Sequence, residues 1–347
     1  MTDREYKHMI HSITVPAALS YEEKNKRYQP LIDFLKTNTP EKLYRFRSCK
    51  ERAFDEFDQN KLSFSPAYKM NDDFDGMLCL NKASIKSALV DALAPQKIRN
   101  LVEVLHQGAI PDEMRKFFPT EMLESCMDSL SKYTPEMLGA LINQFLGYVT
   151  DDYEKRMCSL SQLTRSLKIV SLSTEINSPA MWGYYADDGK GFALSYDLRV
   201  PNFTEYCPVS VIYDDERFDA TQYATWLFQQ QIMKGIFTDS NAVGLYSLFQ
   251  PMIPCPDEFM PTKILIHKAT YWSHETEWRL VYYERSDSQN AEFPHVIRQP
   301  TGLYLGRNIS SIHEKILRRI ASDKGIPIYK MTICDDDLAY NLHPEPI

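Results

Sequence analysis

The sequence predicts an α+β fold: a mixed or largely antiparallel sheet with a helical insertion and a C-terminal β-α-β element. Three observations carry this. Short segments with apolar residues at every second position recur along the chain, as half-buried strands require. A block from about 84 to 164 instead repeats apolar residues every three or four positions, the helical period. The chain then closes with "GLYLG", "SSIHEKILRRIASDKG" and "IPIYKMTI", which read as strand, helix and strand.

Residues 1–40 form an N-terminal helical segment. Within it 21–38 reads as a short helical region interrupted by Pro30, because proline lacks the amide donor an internal turn needs. "TPEKLYRFRS" starts a strand with Tyr44 and Phe46 on one face and Arg45 and Arg47 on the other. "KLSFSP" is a second strand, with Ser63 and Ser65 sharing a face, and it leads into the acidic turn "NDDFDG". There Asn71, Asp73, Asp75 and Gly76 occupy the first, third, fifth and sixth places of a calcium loop, but Lys82 stands where the bidentate glutamate belongs. The stretch therefore reads as an Asx-rich turn whose side chains cap backbone amides. Inside the insertion, Thr134-Pro135-Glu136 is a helix start.

Strands resume with "KIVSLSTE", "GFALSYD" and "VSVIYDD". Between the first two, Met181, Trp182, Tyr184 and Tyr185 suggest a short helix against the sheet. A mostly helical stretch over 219–250 and a proline-rich loop precede "TYWSHETEWRLVYY", residues 270–283. Read as one strand, this puts Trp272, Trp278, Leu280 and Tyr282 on one face and Glu275, Glu277 and Arg279 on the other. Near the end, Ser311 with Glu314 forms a capping box and Gly325 is the helix stop. Residues 41–347 thus read as a single α+β domain that holds the insertion.

Composition narrows the function classes. With 347 residues, 44% hydrophobic and 25% charged, the chain has ordinary globular values. No apolar run approaches the eighteen residues of a membrane span, and the N-terminus lacks a signal-peptide pattern. Seven scattered cysteines without a C-x-x-C pair give neither a disulfide framework nor a zinc site, so a reduced cytoplasm is the expected location. A net charge of −8 speaks against general binding to a phosphate backbone. The eight histidines show no ligand spacing, and no metal is expected.

Four strands share one feature, a polar pair opposite an apolar face: Arg45/Arg47, Ser63/Ser65, Ser171/Ser173 and Glu275/Glu277. Each pair alone is most simply a solvent-facing sheet surface. Together they are chemically complementary: guanidinium forks bind phosphate, hydroxyls orient a sugar, and carboxylates stabilise a developing cation. If the strands adjoin, the chemistry that fits is transfer at an anomeric carbon, with Glu277 beside the ribose and Glu275 polarising the acceptor. Trp182 and Tyr185 would add a flat surface for nicotinamide or adenine, against the simpler reading of aromatic core packing.

As a set, "LYRFRS", "LSFSPAYKMNDDFD", "VSLS", "MWGYYADDGKGFALSYD", the Lys268-to-Arg279 motif and "GLYLG" resemble an uncharacterised bacterial family of unknown function. The resemblance covers about residues 41–335, with Asp73 standing where that family's pattern has proline. The order arginine strand, serine strand, E-x-E is also similar to the ADP-ribosyltransferases of the Arg-Ser-Glu class. That second resemblance implies an NAD-dependent enzyme, with NAD as substrate, acting on a macromolecular acceptor (protein or nucleic acid) as a toxin or defence effector. It assigns phosphate contacts to Arg45 or Arg47, bracing to Ser171 or Ser173, catalysis to Glu277 and the acceptor side to Glu275. The other expectations are a non-catalytic nucleotide- or peptide-binding sensor, and a buried ion network with no ligand.

Overall fold

The computed structural model describes residues 2–92, 167–199, 207–239, 255–283 and 294–347, with single positions at 124, 134, 137 and 140. Most of the expected insertion over 84–164 therefore lies outside the described residues. At Thr134 the hydroxyl does accept from the Met137 amide (3.4 Å), as its helix-start reading requires.

In chain order the elements are α1 (Asp3–Ser12), α2 (Tyr21–Asn38), β1 (Leu43–Arg47), α3 (Glu51–Asp58), β2 (Lys61–Ser63), β3 (Ser65–Pro66) and α4 (Lys82–Ala92). Then come β4 (Leu167–Ser173), α5 (Pro179–Tyr185), β5 (Phe192–Tyr196), β6 (Val209–Ser210), β7 (Ile212–Asp214), α6 (Thr221–Asp239) and α7 (Met260–Leu265). The remainder is β8 (His267–Ala269), β9 (Glu277–Tyr283), β10 (His295–Ile297), β11 (Gly302–Leu305), α8 (Ser311–Lys324), β12 (Ile328–Thr332) and β13 (His343–Pro346).

Helix α2 runs through Pro30 rather than breaking there. Pro30 is exposed, so the carbonyl that loses its amide partner can be served by water. A capping box also fixes the start of this helix, with Ser20 accepting from the Glu23 amide and Glu23 returning the bond. The cap of helix α8 lies one residue earlier than the sequence suggests. Ser310, not Ser311, caps it by accepting from the His313 amide, and Glu314 instead pairs with Arg318 and Lys330. Gly325 ends the helix in the left-handed conformation (φ 65°).

Among the described residues the main sheet runs β13-β12-β11-β5-β1-β4-β9-β6, with β3 added on β4. Only β11 and β12 are parallel, joined by α8 as the expected β-α-β closure; the other pairs are antiparallel. The fold is therefore α+β with a mixed, mostly antiparallel sheet. Helices α1, α2, α3 and α8 cover one face, packing Ile10, Leu31, Phe57 and Leu317 against Val170, Leu172, Leu194, Trp278 and Leu280. The other face carries two separate apolar clusters. One joins Ile169 to α6 and α7; the second joins Tyr44, Phe46 and Tyr304 to Met181 and Trp182 of α5.

Two edges of that arrangement position the site. Strand β4 pairs with β9 along its whole length, but on its other side it meets β1 only at Tyr44↔Ser173 and β3 only around Ser65↔Ile169. Between those contacts the edge of β4 at Ser171 and Leu172 faces a notch. On the same face, Ser173 lies opposite Glu277 and Ser171 opposite Arg279, which sets a polar stripe between the two apolar clusters.

Candidate functional site

The notch opens into a cavity of about 190 Å³, lined among others by Arg45, Arg47, Ser65, Asn71, Ser171, Ser173, Tyr185, Lys268, Glu275 and Glu277. All but two of the residues singled out by sequence thus border one cavity. Ser63 is buried behind it, where its carbonyl accepts from Arg45 Nη2 at 2.8 Å. Trp182 does not offer the flat ligand surface expected of it. Its indole nitrogen donates to the Ile176 carbonyl (2.7 Å) and its ring meets Phe46 edge-on, as a core tryptophan does.

Residues 270–283 are not one strand. Thr270–Glu275 forms a 3-10 turn, Thr276 adopts the left-handed conformation (φ 43°), and β9 begins only at Glu277. A left-handed threonine costs on the order of 1–2 kcal/mol, and hydrogen bonds hold it. Thr174 Oγ1 donates to Thr276 Oγ1 (2.7 Å), and Ser173 Oγ donates to the Glu275 carbonyl (2.7 Å). The break changes the chemistry. Instead of lying spaced along a strand, both glutamates reach one ammonium: Lys268 Nζ is 2.6 Å from Glu275 Oε2 and 3.3 Å from Glu277 Oε2.

Arg279 completes the cluster from beneath. It is 0% exposed, and each of its terminal nitrogens is engaged. Nε donates to Glu277 Oε1 (2.8 Å), Nη2 to Glu277 Oε2 and Asp75 Oδ2 (2.9 Å each), and Nη1 to Asp75 Oδ1 (2.6 Å) and the Leu265 carbonyl. The Tyr213 hydroxyl accepts from the Glu277 amide at 2.8 Å. On the cavity side the Tyr185 hydroxyl donates to Glu275 Oε1 and accepts from Asn71 Nδ2 at 2.9 Å. Lys268 also lies 4.9 Å from the centre of the Trp272 ring. Asp75 and Asn71, read as turn residues, are therefore working parts of the cluster. Among the described residues no group of three His, Cys, Asp or Glu is placed to hold a metal ion.

The two glutamates differ in proton affinity. Burial opposes ionisation of Glu277, but Arg279 and Lys268, with a hydrogen bond from Ser171, outweigh it and bring the carboxyl down to about 2. For Glu275 burial wins: its carboxyl stays above the usual range although Lys268 and Tyr185 pull it down. Burial and the adjoining Glu275 carboxylate raise the Tyr185 hydroxyl well above its ordinary value.

The arginines sit differently from the glutamates. By strand alternation and the Tyr44↔Ser173 register, Arg45 and Arg47 leave β1 from the face opposite Glu277 and border the cavity only at the notch. Arg47 pairs with Glu56 of α3, while Arg45 keeps one terminal nitrogen, Nη1, buried without a partner among the described residues. Burial, with the nearby Arg47 charge, lowers the Arg45 guanidinium to about 10. Sequence alternation places Arg45, Arg47 and Glu277 on strand faces correctly, but only pairing register shows that those faces are opposite.

An α+β sheet with a notch between strands, floored by a five-residue cluster of buried charges, is the class that fold and site define. Residues 181–280 match the model of a family described as "Protein of unknown function (DUF2971)", so this stretch is similar to that uncharacterised family. No curated protein and no solved structure matches the chain. The matched stretch supplies Tyr185, Lys268, Glu275, Glu277 and Arg279, whereas Asp75, Ser171 and both arginines lie before it.

Proposed function

We propose that the cavity binds the ribose-bearing end of a nucleotide such as NAD and that the chain acts at the glycosidic carbon, as an ADP-ribosyltransferase-like enzyme with a macromolecular acceptor. The observation that carries this reading is the shared cavity: carboxylates on one wall, serine hydroxyls at the β4 edge, and the β1 arginines across the notch. Its volume, about 190 Å³, is below the roughly 300–1,000 Å³ of pockets that enclose whole ligands. It fits the reacting end of a dinucleotide, with the phosphates toward Arg47.

The geometry redistributes the two glutamate roles. Glu277 is neutralised by Arg279 and Lys268, so its work is to hold those cations in place. Glu275 borders the cavity, has its carboxyl raised above the usual range by burial, and is aligned by Tyr185; it is the group that would face the developing cation. Incubating the protein with NAD and separating the products tests this. Release of nicotinamide that is lost in Glu275→Gln, with the fold intact, supports the reading; no release removes it.

A specific observation also favours the non-catalytic sensor. All four carboxylate oxygens of Glu275 and Glu277 already accept hydrogen bonds within the chain. A ligand held without turnover would raise the melting temperature by mass action while NAD stays intact.

A further inference from the structure

A second cavity of about 220 Å³ lies on the other side of Lys268, which borders both. Its walls come from the acidic turn after β3, the turn after β7, and the start of the 3-10 turn at Thr270. Four carboxylates border it: Asp72, Asp214, Asp215 and Glu216. Asp214 is neutralised by Lys7 of α1, and Lys268 is committed to Glu275 and Glu277. Arg217, also in the wall, makes its hydrogen bond to the Met77 carbonyl (2.7 Å) with its guanidinium 5.3 Å from the centre of the Phe74 ring. Asp72, Asp215 and Glu216 are thus left without a cationic partner among the described residues.

Asp72 is the informative member. It is 6% exposed, and among the described residues only its Oδ1 has a partner, the Phe74 amide at 2.9 Å. Its other oxygen stands on the cavity wall, where the donor of a ligand can reach it. The remaining wall is apolar and aromatic, and Phe74 (53%) and Tyr271 (65%) present exposed rings. Carboxylates beside aromatic faces suit an organic cation on an apolar stem. A metal ion needs oxygens converging on one point, and no such group exists among the described residues. Arg217 over Phe74 shows that this ring already carries a guanidinium from the chain itself.

We propose that this second cavity binds the cationic side chain of a basic peptide, with its charged head on Asp72 and its stem along Phe74 and Tyr271. The site is independent of the nucleotide reading. The test is calorimetric or NMR titration of the full chain with Nα-acetyl-lysine amide and Nα-acetyl-arginine amide, with the neutral Nα-acetyl-norleucine amide as control. The basic probes should bind and the control should not. Binding should weaken in 1 M salt, where the screening length falls to roughly 3 Å. Asp72→Asn should weaken it about tenfold, a normal loss for one charged hydrogen bond. Because Asp72 also caps the Phe74 amide, the exposed double variant Asp215→Asn/Glu216→Gln provides a second measure, expected to lower affinity severalfold without loss of folding. The proposal is overturned if no basic probe binds at tens of millimolar, if norleucine amide binds equally, if neither variant changes the affinity, or if Mg²⁺ or Ca²⁺ competes at the same carboxylates.

Discussion

Replacing Arg279 by methionine should be among the most damaging single changes in the chain, and the structure gives its size. Arg279 is the shared counter-ion of Asp75 and Glu277, all three almost fully buried. Methionine fills much of the same space but leaves both carboxylates without their main compensating charge. Removing one partner of a buried pair costs about 3–5 kcal/mol for each of the two pairs, and Lys268, 3.3 Å from Glu277 and 3.9 Å from Asp75, recovers part of that for both. A net loss of about 3–5 kcal/mol is a large share of the roughly 5–15 kcal/mol that holds a folded protein. At roughly 2–4 °C per kcal/mol it corresponds to a drop of about 6–20 °C in melting temperature. Urea titration at pH 7 and pH 5 measures it. The deficit should shrink at pH 5, where protonating the stranded carboxylates relieves the unpaired charge. Adding Asp75→Leu and Glu277→Met to the same chain should recover most of the loss, because an apolar core tolerates what a half-dismantled ion cluster does not. A single variant that costs less than about 1 kcal/mol, or whose deficit does not depend on pH, would refute the buried-cluster account.

Three further outcomes follow from the same residues. His267 is held near 4, chiefly by burial, with its Nε2 2.8 Å from His11 Nε2 and with the Lys7 ammonium and Asp214 carboxylate nearby. A histidine whose folded value lies below its ordinary 6.5 binds protons more readily unfolded, so its stability contribution is present above 6.5 and lost as pH falls toward 4. His267→Gln should flatten that limb by on the order of 3 kcal/mol, measured as urea midpoints across pH 4–7. Glu277 acts with the same sign at lower pH, its contribution present above 4.5 and lost toward 2; Glu275, raised instead, contributes below 4.5 and loses that contribution as pH rises through its folded value. Glu275→Gln should therefore leave stability at pH 7 unchanged or higher, whereas Glu277→Gln should lower it, and equal losses in both would contradict the assignment. Finally, a Cβ at Gly191 would stand 2.2 Å from the Arg47 carbonyl oxygen, so Gly191→Ala must displace β1 from β5 and should cost more than about 1 kcal/mol in thermal unfolding.

Strand alternation in the sequence was a dependable guide to local structure. Tyr44 and Phe46 do oppose Arg45 and Arg47, and Trp278 and Leu280 do oppose Glu277 and Arg279. It failed where a rule of period two met a backbone that leaves the extended region. Threonine carries no mark of the left-handed conformation, so nothing local announced that Thr276 would end the 3-10 turn and start β9. Period two also says nothing about which faces of different strands coincide. That is decided by pairing, and β1 meets β4 at a single register position. The cations were in plain view within twelve residues, Lys268 and Arg279 on either side of Glu275 and Glu277. Charge neutrality alone would have linked them, because a buried carboxylate needs a nearby cation or a proton. With Asp75 included, the cluster holds three carboxylates and two cations, so it is balanced only when one proton rests on Glu275, whose carboxyl burial raises above the usual range.

That one proton also decides between the two readings of the first cavity. If Glu275 keeps its proton at neutral pH, the cluster is balanced, Tyr185 and Lys268 hold it closed, and a ligand meets a neutral wall. If Glu275 loses it, the wall carries one uncompensated negative charge beside the cavity, the condition that stabilises a ribosyl cation. Tyr185→Phe shifts this balance without touching the ion pairs. Removing the hydroxyl that lowers the Glu275 carboxyl should raise its proton affinity further, by the loss of one short charged hydrogen bond. For an enzyme, nicotinamide release would then need a higher pH, with the rising limb of the profile displaced upward and the plateau largely retained. For a sensor, NAD would bind Tyr185→Phe and the unaltered chain alike across that range, with no product at any pH. A profile that falls at all pH values together, with NAD binding lost, would instead make Tyr185 a contact for the ligand and take from Glu275 its role at the developing cation.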